Sequence, residues 1–189
     1  MKHSFLIATA AAGLAFLAGN MEAADPDTGA AAAYCTQSGG TVIDRIPIFG
    51  TNGPPSSWLV LTGPRQFCQF TSPKDGSRIH VLVDTLYATT PTLAALAYYA
   101  KVVPGQGGGG SPASYYCTQL GGTDLFGGVT GAGGGWVGKG SKDTVLDACI
   151  FPDMSSIDSW GLFYNSASIV RGIDLTTVLR YAPPPAASH

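Results

Sequence analysis

At 189 residues the chain can form one ordinary domain or two small ones that share a core, and its formal net charge is −2. Charged residues make up 12% of it against a usual ~25%, and Lys and Arg do not cluster, which excludes a nucleic-acid or anionic-lipid partner. The surface has to be built from Ser, Thr, Gly, Ala and Tyr, a composition that suits a secreted protein.

The chain opens on an export signal. Lys2 and His3 precede an apolar run from Phe5 to Ala18, long enough for a signal peptide and too short to span a bilayer. Residues 1–24 are therefore expected to be removed, with Ala23 and Ala24 as cut points. The expected location is periplasmic or secreted, without stable membrane insertion.

A first module is expected over 30–103. It starts with a short helix over 30–38, stopped by Gly39-Gly40, because glycine takes the left-handed conformation cheaply. Alternating or β-branched runs predict strands over 42–48, 58–62, 66–70 and 78–83, and Thr92 caps a closing helix over 92–103. Residues 104–112 read by composition as a flexible Gly-rich linker. A second module over 113–181 has its own opening helix over 112–120, with Ser111 as cap and Pro112 in the first turn. Strands follow over 135–138, 145–151 and 159–164, then a closing helix over 174–181 capped by Asp174. Residues 182–189 form an extended, Pro-rich tail.

The two modules share a text. Tyr34-Cys35-Thr36-Gln37-Ser38-Gly39-Gly40-Thr41 returns 82 residues later as Tyr116-Cys117-Thr118-Gln119-Leu120-Gly121-Gly122-Thr123, identical at seven of eight positions. Cys68 and Cys149 close the pattern. Four cysteines in an exported chain are expected to be oxidised, and they allow three connectivities. The duplication favours Cys35–Cys68 and Cys117–Cys149; a link between Cys35 and Cys117 is the alternative. The fold class expected is α+β: two tandem repeats, each a short N-terminal helix, a small antiparallel sheet and a C-terminal helix, with one disulfide per repeat.

Chemistry is sparse. Two Gly-x-Gly-x-x-Gly matches, from Gly105 and from Gly133, lack the strand–helix setting that a nucleotide needs, and Gly140 stands where a phosphate loop requires Ser or Thr. No cofactor is expected. No metal is expected either, because Cys-x-x-Cys pairs are absent and only His80 and His189 remain after processing. Strand alternation puts Ser77 and His80 on opposite faces, which breaks a triad with Asp84, and Asp158 takes the matching place in the second half. Asp143, Asp147, Asp153 and Asp158 could supply paired carboxylates for hydrolysis, although Asp75 and Asp153 read as turn residues. Trp58 follows a Gly/Pro-rich loop over 49–57, and Trp136, Lys139 and Lys142 sit in a Gly-rich loop over 127–142; the four are the candidate ligand contacts, with packing into the core the favoured alternative for the aromatic residues.

Pro112-Ala113-Ser114-Tyr115-Tyr116-Cys117, Gly121-Gly122, Cys149-Ile150-Phe151-Pro152-Asp153 and Ser159-Trp160-Gly161-Leu162-Phe163-Tyr164 resemble the small exported bacterial modules that carry a hemolysin label. The first half keeps Tyr34-Cys35, Gly39-Gly40, Cys68-Gln69-Phe70 and Asp75-Gly76-Ser77. Neither copy has the two further cysteines that those modules often carry. The resemblance implies an envelope or secreted location and no established catalytic site. The expected function is a non-catalytic, disulfide-stabilised tandem binding module, an inhibitor or envelope-associated interaction protein. Its partner would be a protein or an envelope polysaccharide. The alternatives are a secreted hydrolase using the second-module aspartates and a membrane-active or structural surface protein.

Overall fold

A computed structural model describes residues 26–108, 110–126, 130–139 and 145–184. The expected signal peptide, Lys142 and Asp143 lie outside them. In chain order the elements are α1 (Pro26–Gln37), β1 (Thr41–Phe49), β2 (Leu59–Val60), β3 (Arg65–Thr71), β4 (Arg78–Leu82), α2 (Val83–Tyr87) and α3 (Leu93–Ala100). The second half adds α4 (Pro112–Gln119), β5 (Gly134–Gly138), β6 (Val145–Leu146), β7 (Ala148–Ile150), β8 (Ser156–Asp158) and α5 (Ser159–Ser166). The α+β class and antiparallel pairing stand. Two expected elements do not. Residues 159–164 are helix, because the Asp158 side chain caps them through the Gly161 N–H. Where a closing helix was expected over 174–181, one 3₁₀ turn forms at Leu175–Thr177, capped by Asp174.

The strands do not form two small sheets. They lie in one sheet ordered β6-β5-β1-β3-β4-β8-β7, with β2 paired to β1. The second half therefore flanks the first on both sides. At the centre Val81 of β4 faces Ile157 of β8, and these residues face Cys68 and Cys149 respectively on their outer neighbours. Helices cover the face that carries Cys68, Val81, Ile157 and Cys149. One buried cluster there draws Cys35, Phe70, Ile79, Leu86 and Tyr98 from the first half, and Tyr116, Phe151, Leu162 and Leu175 from the second. A single core explains the single sheet: about 75 residues alone bury too little apolar surface to stand firmly.

The shared eight-residue text has a direct structural reading. In each copy the helix ends in a Schellman motif: Gly40 N–H donates to Cys35 O and Gly39 N–H to Thr36 O, as Gly122 does to Cys117 O and Gly121 to Thr118 O. Gly39 and Gly121 take φ of +84° and +85°. The second glycine serves a different end. A Cβ on Gly40 would overlap Cys68 Sγ and lie 2.9 Å from Cys35 Sγ, and one on Gly122 would overlap Cys149 Sγ and lie 3.0 Å from Cys117 Sγ. The disulfides, Cys35–Cys68 and Cys117–Cys149, each tie an opening helix to a sheet strand. They mark an oxidising, extracellular or periplasmic environment. Among the described residues no helix is long and apolar enough to cross a membrane.

The closing segments cross over. Tyr34 OH of the first half donates to Val178 O of the second at 2.8 Å, and Tyr116 OH of the second donates to Val102 O of the first at 2.6 Å. Ser77 Oγ accepts from Gly172 N–H, and Ser155 Oγ accepts from Ala94 N–H. Asp75 and Asp153 form the turns that present these serines, as their sequence setting suggested.

The two glycines of each pair should respond differently to substitution. Gly39→Ala is expected to cost about 1 kcal/mol through its positive φ. Gly40→Ala should cost about 3 kcal/mol, because the sulfur in its way is held by the disulfide and cannot swing aside. Urea unfolding of both variants checks the ranking.

Candidate functional site

Side-chain alternation places Arg45 of β1, Gln69 of β3, His80 of β4 and Asp158 of β8 on the sheet face away from the opening helices, in a polar row. Arg45 is 0% exposed, which a guanidinium tolerates only with partners. Its Nη1 donates to Trp136 O at 3.2 Å, and its Nη2 lies 3.3 Å from His80 Nε2. Gln69 Oε1 is 2.9 Å from the same Nε2, so this ring nitrogen stands between an amide oxygen that can only accept and a guanidinium that can only donate. On the other side Asp158 Oδ2 accepts the His80 backbone N–H at 2.7 Å and lies 3.5 Å from Nδ1. Asp158 is thus the cross-strand partner of His80 as well as the cap of α5.

Beside this row opens a cleft of about 140 Å³ lined by Arg78, His80, Asp147, Asp158, Trp160 and Arg171, among others. Arg171 reaches it while its guanidinium lies 5.1 Å from the Tyr164 ring centre. Asp147 stands out electrostatically. Burial first, then the charges of Asp124 and Asp158, push its carboxyl up to about 6. Asp124 is itself buried, with one carboxylate oxygen unpartnered. Two guanidiniums, an indole and an easily protonated carboxyl can hold a small polar group. No set of three or more His, Cys, Asp or Glu among the described residues could hold a metal ion.

The aspartates picked out in the sequence part company here. Asp147 and Asp158 share the cleft. Asp153 is spent on Ser155 and on the Leu93 N–H at the start of α3. Asp84 pairs with Arg65 at 3.2 Å instead of standing behind His80, and Ser77 holds Gly172.

The two Gly-rich loops do meet. Gly50 N–H donates to Gly133 O, and Asn52 grips Ala132 O and Gly131 O through its backbone and side-chain amides. Their aromatic residues diverge in role. Trp136 is 5% exposed and packs between Phe67 and Phe126, so it serves the core and not a ligand surface. Trp58 is half-buried and donates Nε1–H to Gly53 O at 3.0 Å. Lys139 is exposed. Beyond Trp58 the exposed residues are apolar: Leu59, Val60 and Leu61 are 59%, 65% and 50% accessible.

Sequence reasoning passed over Arg45, Gln69, Arg78, Asp124 and Arg171. One signal was present: Arg45 falls on the same alternating face as Ile43 and Pro47, where a charge is out of place. Set against family models, curated proteins and solved structures, the chain matches none.

Asp147 should make stability depend on pH. Unfolded, its carboxyl returns to about 3.9, so the unfolded state ionises first as pH rises and stability falls between about pH 4 and 6. Asp147→Asn removes this penalty. The variant is expected to be more stable than wild type by about 1–2 kcal/mol at pH 7.5, after allowing for solvent screening, and equal to it below pH 4. Denaturant melts across that range measure the difference.

Proposed function

We propose that this is an exported, duplicated, disulfide-stabilised binding protein that holds a protein partner along its exposed β2 edge, without catalysis of its own. One observation carries the reading: Leu59 and Val60 stand exposed on a strand paired on one side to β1, with exposed Leu61 directly after it, within a stretch, 46–64, that contains no charged residue. Natural sheet edges are usually guarded by Lys, by other charges or by a covering element. An unguarded apolar edge is the surface that strand addition uses, with backbone hydrogen bonds giving affinity and alternate side chains giving selectivity. The joined loops beside it supply a firm platform. Export through a cleavable signal agrees with the oxidised cysteines. Duplication agrees with the matched helix ends, turns and crossing hydrogen bonds, and the resemblance to the hemolysin-labelled modules agrees with a location in the envelope.

The test is capture from the source cell's envelope fraction by immobilised protein. Leu59→Lys/Leu61→Lys alters two exposed positions and should leave circular dichroism unchanged while captured material falls at least tenfold. Equal capture by both proteins would remove the proposal. Capture that survives protease treatment of the fraction would point to a polysaccharide instead.

The cleft supports a second reading, a hydrolase in which Asp147 acts as general acid. Its support is the carboxyl held near neutral pH beside Arg78, Arg171 and Trp160. In that case a screen of glycan and peptide substrates should find turnover that Asp147→Asn lowers at least a hundredfold. Turnover equal in both proteins would dismiss it.

A further inference from the structure

The two halves carry matching grooves, and along one of them the chain's own Gly-rich segment packs, leaving a cavity of about 350 Å³. In the second half, Tyr115 and Phe163 line a groove between α4 and α5, with Tyr116 in edge contact with Phe163 at 6.0 Å. Residues 104–108 and 110–111 of the chain's own Gly-rich segment run along it. Gln119 reads that segment's backbone in both directions. Its Oε1 accepts from Gly105 N–H at 2.7 Å and its Nε2 donates to Val103 O at 3.0 Å. Gly108, at φ +113°, lies flat on the Tyr115 ring, where a Cβ would overlap ring atoms. A carboxamide clamp, an aromatic floor and a ligand almost free of side chains together make a seat for extended peptide.

The first half has a matching groove that keeps the carboxamide and lacks the Tyr115 floor, and no segment among the described residues runs along it as 104–108 does in the second half. Its groove, about 440 Å³, is lined by Ala30, Ala33, Tyr34, Gln37, Tyr87 and Arg180. Tyr34 and Tyr87 make the matching edge contact at 5.7 Å. Gln37 holds the place of Gln119 in the shared Tyr-Cys-Thr-Gln text, and Ala33 stands where the other half has Tyr115, which widens the groove. Gln37 is exposed, and its carboxamide has no hydrogen-bond partner among the described residues. The segment that would cover it by analogy turns aside: Arg180 N–H donates to Leu86 O at 3.1 Å, and the guanidinium stacks 4.0 Å from the Tyr87 ring centre. Among the described residues lining the groove Arg180 is the one that carries a charge, which makes the seat positive.

We propose that this groove binds an extended, Gly- or Pro-rich peptide segment of a partner protein, with Gln37 clamping the peptide backbone and Arg180 pairing with a carboxylate on it. The site is built by α1 and α2 and does not depend on the β2 edge. The second-half groove supplies the chemistry of the occupant: little side-chain bulk, and a backbone donor and acceptor two residues apart that a glutamine carboxamide can hold. Charge complementarity to Arg180 adds the acidic group.

The probe is a fluorescein-labelled peptide reproducing residues 102–112 with a free C-terminal carboxylate, titrated onto the purified protein. Saturable binding is expected, weakened about tenfold by Gln37→Ala, which removes a donor and an acceptor, and by a similar factor when the carboxylate is amidated. Arg180→Lys should retain binding better than Arg180→Gln, while circular dichroism stays unchanged in all three variants. Absence of saturable binding, or binding indifferent to Gln37→Ala, would overturn the proposal. So would a tighter fit of the probe after deletion of 182–189, since the chain's own terminus would then be the occupant.

Discussion

The fold turns on one meeting of strands, Val81 of β4 against Ile157 of β8. Everything around it is arranged in matched fashion. Cys68 and Cys149 stand one strand further out on either side, each bonded to an opening helix. β8 is three residues long, so the ladder at this seam can offer few hydrogen bonds. The seam is secured by the crossing segments instead. Each half closes on the helix of the other through a tyrosine hydroxyl, and on its turn through a serine hydroxyl. Neither half can complete its core without its neighbour.

That dependence explains the sparing chemistry of the sequence. With few charges, surface ion pairs contribute little, and they are worth little in any case. Each disulfide closes a loop of 32 or 33 residues and removes about 3–4 kcal/mol of freedom from the unfolded chain. The glycine under each sulfur lets helix and strand approach closely enough for the bond to form. Loss of side-chain bulk at Gly40 and Gly122 is thus coupled to the gain of a covalent tie.

The sheet also divides the work between its faces. One face is apolar and roofed by helices. The other carries Arg45, Gln69, His80 and Asp158 in a row, with a compact cluster of Phe67, Leu82, Trp136 and Leu146 beside it. Polar groups buried in this manner must satisfy one another, and most of their hydrogen-bonding capacity is spent in doing so. This is why His80 and Asp158 read as structure and why Asp147, held up near neutral pH at the cleft, is the group left to respond to its surroundings. The proposed recognition surfaces lie at the margins of the molecule, at the β2 edge and over the aromatic grooves.

Much of this was legible in the sequence by itself. Helix stops at Gly39 and Gly121, the Asp75 and Asp153 turns, the best strands and the favoured cysteine pairing all depend on local conformational preference or on a duplicated text, and both are properties of short stretches. The single sheet, the crossing of closing segments and the helix at Ser159–Ser166 were decided by tertiary structure. An apolar-aromatic run such as 159–164 suits strand or helix, and the Asp158 side chain settles the choice only once β8 has set its direction. The polar row needed four strands to be brought into register, and the pairing of Arg45 with His80 spans 35 residues of chain. Trp136 shows the same limit from the other side: its Gly-rich loop suggested a surface, and the packing of Phe67 and Phe126 made it core, because burial belongs to the assembled fold and not to the residue.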